Sequence, residues 1–297
     1  MSDAVQRLRD HVARRAQGVL TRTQLPRVDI LRVLEPTSLF PEVYQPMVSL
    51  ILQGEKRLFI GEQVVRYAEA EAFVSSVALP ATGEVVRATA ERPYLALRLI
   101  LDPVLVADLV RQAGGTAPGP DRRGFDVAAA TDRLADAWLR MLSLEDHRDE
   151  IPVMAPLLER EILFRLLCGP QGGLLRQVAG LDRDFARIRA TVDWMRSHAA
   201  ERFRVDHLAD RAGMSVSVFH RRFKASTGLS PLRYQKHLRL YEARRMLLAE
   251  RSEVAPVAFA VGYESVSQFT REYTRLFGAP PARDSRSLRT AATAALA

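Results

Sequence analysis

The stretch Phe219-His220-Arg221-Arg222-Phe223, followed by Gly228 and Pro231, decides the fold because the chain repeats its pattern fifty residues later. The second copy reads Phe269-Thr270-Arg271-Glu272-Tyr273, followed by Gly278 and Pro281. Each copy has an aromatic residue, an arginine, a second aromatic residue, a glycine and a proline at the same spacing. Repetition of this kind indicates two copies of one structural unit.

Each copy has the layout of a helix-turn-helix. In the first, a short run with helical apolar spacing precedes Gly213, which supplies a tight turn where a Cβ would be penalised. The next helix carries Phe219 and Phe223 on one face and ends at Gly228. The second copy follows the same logic with Gly262 in the turn. The sequence therefore predicts two helix-turn-helix units.

Residues 231–249 lie between the copies and predict one continuous helix, since they contain no glycine and no internal proline. At about 1.5 Å per residue this helix is roughly 27 Å long. Two recognition helices held near that distance can enter adjacent major-groove segments, which lie about 34 Å apart on one face of DNA. The helix has an apolar side, predicted to be packed, of Leu232, Leu240, Ala243, Leu247 and Leu248, and a basic side of Arg233, Lys236, Arg239, Arg244 and Arg245.

A family resemblance covers about residues 184–290. The matching segments are Leu208-Ala209-x-x-Ala212-Gly213-Met214-Ser215, Phe223-Lys224 with Gly228-x-Ser230-Pro231, Arg239-Leu240-x-x-Ala243, and Val261-Gly262-Tyr263 through Phe277-Gly278-x-Pro280. They closely resemble the AraC/XylS transcription regulators. The resemblance implies a sequence-specific DNA-binding transcription regulator whose C-terminal all-α domain holds two helix-turn-helix motifs.

The aromatic residues of each recognition helix are expected in the core, so the positions between and ahead of them face DNA. The family's base-contacting positions fall on Ser217, His220, Arg221, Val266, Ser267 and Arg271. Arginine suits bidentate contact with guanine, and valine can contact a thymine methyl group. Any one arginine can instead contact phosphate. The candidates for phosphate contact are Arg222, Lys224, Arg233, Lys236 and Arg275.

The charged side chains are distributed unevenly over the 297 residues, with the basic excess in the part of the chain that holds the repeat. From Arg183 onward 21 Lys and Arg outnumber 11 Asp and Glu, whereas residues 1–182 hold 22 and 24. The basic excess lies where phosphate binding requires it. We expect a cupin-like effector or dimerisation domain with a helical connector at 1–168 and a double helix-turn-helix DNA-binding domain at 184–290. The single cysteine, Cys168, precludes an intrachain disulfide and is more typical of a small core residue than of a sensor.

Short β-rich runs follow Pro26 and predict a small barrel. They are Ile30–Leu34, Met47–Gln53, Arg57–Gly61, Gln63–Tyr67, Glu71–Ala78, Glu84–Ala90 and Tyr94–Leu101, with breaks at Gly54, Gly61, Pro80, Gly83 and Pro93. Helices are predicted at 2–20, 103–114, 132–144 and 156–167, the last with an apolar face broad enough for packing on two surfaces or for burial within its own domain.

The barrel region also resembles a family domain. Gln53-Gly54-x-Lys56, Gly61, Tyr67, Leu79-Pro80 and Arg92-Pro93-Tyr94-Leu95-x-Leu97 are similar to the N-terminal cupin-like β-barrel of one AraC-type subgroup. This resemblance implies effector binding or dimerisation and an α+β protein overall. Effector-binding residues stay unassigned; the inward-facing candidates Phe59, Tyr67, Phe73 and Tyr94 are equally typical of plain barrel core.

The partners that follow are double-stranded promoter or operator DNA, RNA polymerase, a small-molecule effector and a second copy of the chain, with no membrane. The region 26–102 contains no histidine, so we expect no enzymatic activity, no cofactor and no metal. No signal peptide or long apolar span is evident, which predicts a cytoplasmic, nucleoid-associated protein. Two alternatives stay open: a constitutive regulator whose barrel only dimerises, and a cupin enzyme fused to a DNA-binding module.

Overall fold

The computed structural model describes residues 2–114, 123–249 and 253–286, with a β-rich half followed by a helical half. The strands are β1 (Leu20–Arg22), β2 (Val28–Val33), β3 (Phe40–Tyr44), β4 (Met47–Gln53), β5 (Glu55–Ile60), β6 (Gln63–Ala68), β7 (Glu71–Ser75), β8 (Leu79–Arg87), β9 (Tyr94–Ile100) and β10 (Phe125–Ala129). The helices are α1 (Asp3–Arg15), α2 (Pro103–Gln112), α3 (Asp132–Ser143), α4 (Ile151–Leu167), α5 (Gly172–Val178), α6 (Arg183–Ser197), α7 (Val205–Arg211), α8 (Val216–Thr227), α9 (Pro231–Ala249), α10 (Val254–Ala260) and α11 (Val266–Phe277). The predicted fold class is confirmed; the tail beyond residue 288 lies outside the described residues.

The strands form two antiparallel sheets that face each other as a small barrel. One sheet has the order β1-β2-β9-β4-β7-β10 and the other the order β3-β8-β5-β6. Because side chains alternate along a strand, Val48 and Leu50 of β4 point outward into a core shared with α1, α3 and α4. Ser49 and Ile51 point the other way. The inward faces of both sheets are called the barrel interior below.

Strand boundaries differ from the sequence prediction at β8. The predicted breaks at Pro80 and Gly83 are wrong, since both residues lie inside this strand. Pro80 pairs with Val43 of β3, whereas β5 joins β8 only from Thr82 onward. A proline is tolerated where a strand has no neighbour on one side, because no ladder hydrogen bond is lost. Strands β1, β3 and β10 were not predicted.

Helix α4 also starts earlier than predicted, at Ile151 rather than Pro156. Its inner side is anchored by Glu159, whose carboxylate accepts a 2.6 Å hydrogen bond from Arg27. Leu157 is 56% exposed, so part of the broad apolar face is not covered by its own domain. Cys168, just after this helix, is a free and exposed thiol, and the interpretation as a core residue is wrong.

The C-terminal half contains the two predicted helix-turn-helix units, α7 with α8 and α10 with α11, joined by α9. Each recognition helix ends at a glycine in the left-handed region, Gly228 at φ +74° and Gly278 at φ +79°. Each of these glycines donates its backbone N–H to a carbonyl four residues earlier. The glycines therefore end both helices at equivalent positions, as the repeat predicts.

The barrel packs directly on the first helix-turn-helix unit and on α9. The backbone N–H of Gly124 donates to the Ser226 carbonyl at 3.1 Å, and the Tyr234 hydroxyl donates to the Ala78 carbonyl at 2.9 Å. One continuous buried cluster joins the barrel interior with the core of the first unit. The second unit has a buried cluster of its own. The barrel thus contacts the first helix-turn-helix unit directly and the second mainly through α9.

Candidate DNA interface

The two recognition helices, α8 and α11, each bury one face and expose the opposite one. Phe219 and Phe223 of α8 are fully buried, as are Phe269 and Tyr273 of α11. Residues four apart share a helical face, so these pairs fix the rotation of each helix about its axis. The face that remains open is the one predicted to read DNA.

The structure places five of the six predicted base-reading residues on these open faces, whereas Val266 packs against the hydrophobic cluster of the second unit. Val266 is half-buried at the start of α11; the exposed members are Ser217, His220, Arg221, Ser267 and Arg271. Docking of the barrel leaves this surface uncovered, because the contacts of the barrel fall at the other end of α8, around Ser226 and Gly228. The geometry is therefore compatible with base reading, which stays a prediction.

The N-terminus of α8 differs from that of α11. Ser265 caps α11, and its hydroxyl accepts from the Gln268 N–H at 3.4 Å. Ser215 precedes α8 without a side-chain capping bond and lies 3.4 Å from the Ser217 hydroxyl. The first backbone N–H groups of α8 are thus not capped by that side chain. Such groups, at the positive end of a helix dipole, suit a DNA phosphate.

The predicted phosphate-binding residues fall into two groups. Lys224 and Arg275 are exposed and form no ion pair within the described residues. The other three are paired inside the protein: Arg222 with Asp184, Arg233 with Glu62 at 3.1 Å, and Lys236 with Glu272 at 3.1 Å. These three would have to exchange partners to bind phosphate. Such pairs join residues far apart in the chain, so local sequence patterns do not reveal them.

Arg239 of α9 joins the two helix-turn-helix units, a role that the sequence does not predict, since its pattern only places this residue on the basic side of the helix. Its guanidinium donates to four backbone carbonyls, those of Ala199 at 2.7 Å, Ala200 at 3.1 Å, Glu201 at 2.9 Å and Gly262 at 3.0 Å. The first three precede α7 and the fourth lies in the turn of the second unit. The planar fork of arginine suits such a multiple contact, which a lysine cannot reproduce.

We expect Arg239→Met to weaken operator binding about tenfold or more, because the hydrogen bonds that join the two helix-turn-helix units are lost. Binding should also depend less on the spacing between half-sites, since the distance between the two recognition helices is no longer fixed. The measurement is binding of the full chain to operators with one base pair inserted or removed between half-sites. Arg245→Met, an exposed change on the same helix, is the control. Equal weakening on all spacings would contradict this role.

Arg244 also differs from its predicted place on the basic side. It donates to both oxygens of Asp284, at 2.8 and 3.1 Å, and the Tyr273 hydroxyl donates to the same carboxylate at 2.8 Å. This network ties α9 and α11 to the helical segment at residues 281–286. Leu232, predicted on the packed side, is instead 55% exposed.

Comparison with known proteins agrees with this arrangement. Residues 24–174 match the family described as the AraC-type transcriptional regulator N-terminus, and residues 208–287 match a helix-turn-helix domain. The first match alone covers half of the chain. The chain belongs to the AraC-type transcriptional regulators. The resemblance inferred from the repeated motif is thereby confirmed.

Relatives and solved structures extend this result. The chain is 34% identical over 129 residues to the HTH-type transcriptional activator RhaS of Escherichia fergusonii, covering 43% of this chain and 46% of the relative. It is 28% identical over 179 residues to RhaS of Escherichia coli, covering 60% and 61%. The chain thus spans about half to three fifths of the length of these relatives. A crystal structure of apo ToxT from Vibrio cholerae has the same fold, with a TM-score of 0.56 at 10% identity over 89% of this chain and 98% of that one.

The N-terminal barrel of this AraC-type chain has a partly polar interior. Arg98 donates to Asp29 at 2.6 Å and to Glu42 at 3.3 Å, all three on inward-facing positions. Tyr67, Phe73 and Tyr94, named as inward candidates, do face this interior. Phe59 faces outward instead, toward a cleft of about 540 Å³ lined also by α9 and α11. Across the described residues no cluster of three His, Cys, Asp or Glu side chains could hold a metal ion, and no helix is long and apolar enough to cross a membrane.

Proposed function

We propose that this protein is a sequence-specific DNA-binding transcription regulator that reads two adjacent major-groove segments of an operator. The observation that carries this proposal is the pair of equivalent recognition helices, whose open faces hold Arg221 and Arg271 at matching positions. In this proposal both arginines contact guanine, Val266 contacts a thymine methyl group, and the polar residues Ser217, His220 and Ser267 make further hydrogen bonds. Lys224 and Arg275 contact phosphate.

The proposal assigns the barrel to control rather than to chemistry. Relatives of this chain are transcription activators, which supports a regulator without enzymatic activity. We place the effector and dimerisation functions in residues 1–168 and DNA binding in residues 184–290. A regulator of this class acts at the chromosome, in contact with RNA polymerase, so we place it in the cytoplasm at the nucleoid.

Strand β8 supplies a physical route from the barrel to the DNA-binding helices. Gly83 faces the barrel interior, while its neighbour Thr82 faces outward and lies 3.3 Å from the Tyr241 hydroxyl of α9. Burial raises the pKa of Tyr241 to about 12, so this hydroxyl stays protonated at neutral pH. A ligand can shift the protein between two states only through different affinity for them. A ligand touching β8 would meet this condition if β8 and α9 move together.

The test is footprinting of the full chain on DNA that flanks its own gene. We expect protection of about 20 base pairs along one face, as two adjacent half-sites require. Only diffuse binding that disappears with rising salt would contradict sequence-specific regulation and favour an architectural role.

A further inference from the structure

Lys56 lies in the barrel interior, which is an unusual place for a lysine. It stands on β5, is 4% exposed, and pairs across the ladder with Tyr67 of β6. Lysine is almost never buried without a partner of opposite charge. Lys56 forms no hydrogen bond and no ion pair with any residue in the described ranges. Its burial therefore calls for an explanation.

The surroundings of the ammonium group are aromatic. Its nitrogen lies 5.2 Å from the centre of the Phe40 ring and 5.1 Å from that of Tyr44. Ring faces attract a cation but provide no acceptor atom. Burial lowers the pKa of Lys56 to about 8, partly opposed by Glu42, so the side chain is still mainly protonated at neutral pH. The barrel thus holds a cation without a counter-ion in direct contact.

The nearby carboxylates already pair with another cation, Arg98. Asp29 and Glu42 both accept from Arg98. Glu42 is 43% exposed, and β3, which carries it, is an edge strand of the four-stranded sheet. The ammonium group of Lys56 lies against the rings of Phe40 and Tyr44, which this edge strand also carries.

Three tyrosine hydroxyls in the same interior also lack partners. Those of Tyr44, Tyr67 and Tyr94 are buried and form no hydrogen bond of normal geometry with any described residue, although the Tyr67 hydroxyl lies beside the side chain of Ser49. Buried polar groups in native proteins are nearly always paired with protein, water or ligand. A Cβ on Gly83 would lie 2.8 Å from the Tyr44 hydroxyl and 3.2 Å from Cε of Lys56, so these two side chains meet above a glycine.

The backbone that leads into Lys56 is irregular. The pairing of β4 with β9 shifts register between Ile51 and Gln53, and that of β5 with β8 shifts between Glu55 and Lys56. Gly54 between them has φ +89°. Bulges of this kind redirect side chains and occur often beside functional sites. In the second shift the extra residue is Val86 of β8, opposite Glu55 and Lys56.

We infer that Lys56, together with the hydroxyls of Tyr44, Tyr67 and Tyr94, binds a small carboxylate inside the barrel. A carboxylate supplies the missing counter-charge, and its two oxygens can accept from hydroxyls as well as from the ammonium group. A neutral polyol would pair the hydroxyls and leave the cation unpaired. The rings of Phe40 and Phe73 provide apolar walls for the rest of the ligand. This inference deepens the effector part of the proposed function by naming the chemical class.

The chain offers a direct probe because it contains only three lysines, Lys56, Lys224 and Lys236. Full-length protein labelled with ¹³C at lysine Cε gives one NMR signal for each, assigned by single substitution. We expect acetate, propionate or benzoate at millimolar concentration to shift the Lys56 signal saturably and leave the other two unchanged. Acetamide and benzamide, which lack the charge, should have no such effect. No saturable shift with any of the three carboxylates, or equal shifts of all three lysines, would overturn the inference.

Single substitutions distinguish a loss of carboxylate binding from a loss of folding, because a folded variant still protects DNA in footprinting. Lys56→Met preserves the length of an apolar stem, and we expect it to abolish carboxylate binding, measured by calorimetry, while footprinting on DNA persists. Tyr94→Phe should weaken binding about fivefold or more through one lost hydrogen bond. Lys224→Met is the matched control and should bind carboxylate like the unmodified chain. Carboxylate binding retained by Lys56→Met would overturn the inference. A missing footprint with carboxylate binding intact would instead count against the proposed function alone.

Discussion

Arg271→Ala is expected to weaken binding to the operator by about 1–3 kcal/mol while leaving binding to random DNA nearly unchanged. Arg271 is exposed on the open face of α11 and forms no ion pair within the described residues, so its guanidinium is available for a bidentate contact with guanine. Arg221→Ala on α8 should have a similar effect in the other half-site. Fluorescence anisotropy on the footprinted operator and on a scrambled sequence measures both affinities.

Lys224→Ala provides the matched control for this prediction. Lys224 is also exposed on α8, yet it lies one turn from the predicted base-reading positions, toward the end of the helix. A phosphate contact contributes equally on every sequence, so its loss should weaken both DNAs alike and reduce the salt dependence of binding by about one ion. Equal losses on operator and random DNA for Arg271→Ala would show that Arg271 contacts the backbone instead.

The sequence predicts the two helix-turn-helix units well because their signals are local. The aromatic pairs, Gly228 and Gly278 specify burial and helix ends within a dozen residues, and the structure has α8 and α11 at those positions. The repetition adds weight, since both copies must satisfy the same pattern. The faces open to DNA follow from the same spacing without any knowledge of the barrel.

Non-local pairing explains most of what the sequence does not reveal. Pro80 and Gly83 look like turn residues, but β3 and β5 hold them inside β8. Arg239 looks like part of a basic surface, yet its partners are carbonyls up to forty residues away. The same limit applies to Lys56, because the alternation along β5 cannot say which groups from β3 and β6 surround it. The sequence shows the chemistry of each side chain, but it does not show which residues of other strands and helices lie next to it.

Gly61→Ala is expected to lower the free energy of unfolding by about 1–3 kcal/mol beyond the cost of placing alanine in a left-handed conformation. Gly61 has φ +63°, and a Cβ on it would lie 2.1 Å from the Gly228 carbonyl oxygen at the end of α8. The Cβ is fixed directly to the backbone and the carbonyl oxygen is itself a backbone atom, so neither can rotate away, and the barrel must separate from the first helix-turn-helix unit. Urea unfolding of the full chain measures the loss, and protease sensitivity between α5 and α6 reports the separation.

Gly18→Ala is the control that separates the cost of the left-handed backbone from the cost of the steric contact between Gly61 and Gly228. Gly18 has φ +61°, nearly that of Gly61, but no atom lies within 4 Å of the corresponding Cβ position. Alanine there should cost only about 1–2 kcal/mol, the penalty of the left-handed conformation itself. The difference between the two variants therefore measures the docking of the barrel on α8. If both variants lose the same stability and protease resistance, the barrel does not rest on this helix in solution, and the route from β8 through Tyr241 would lose its structural basis.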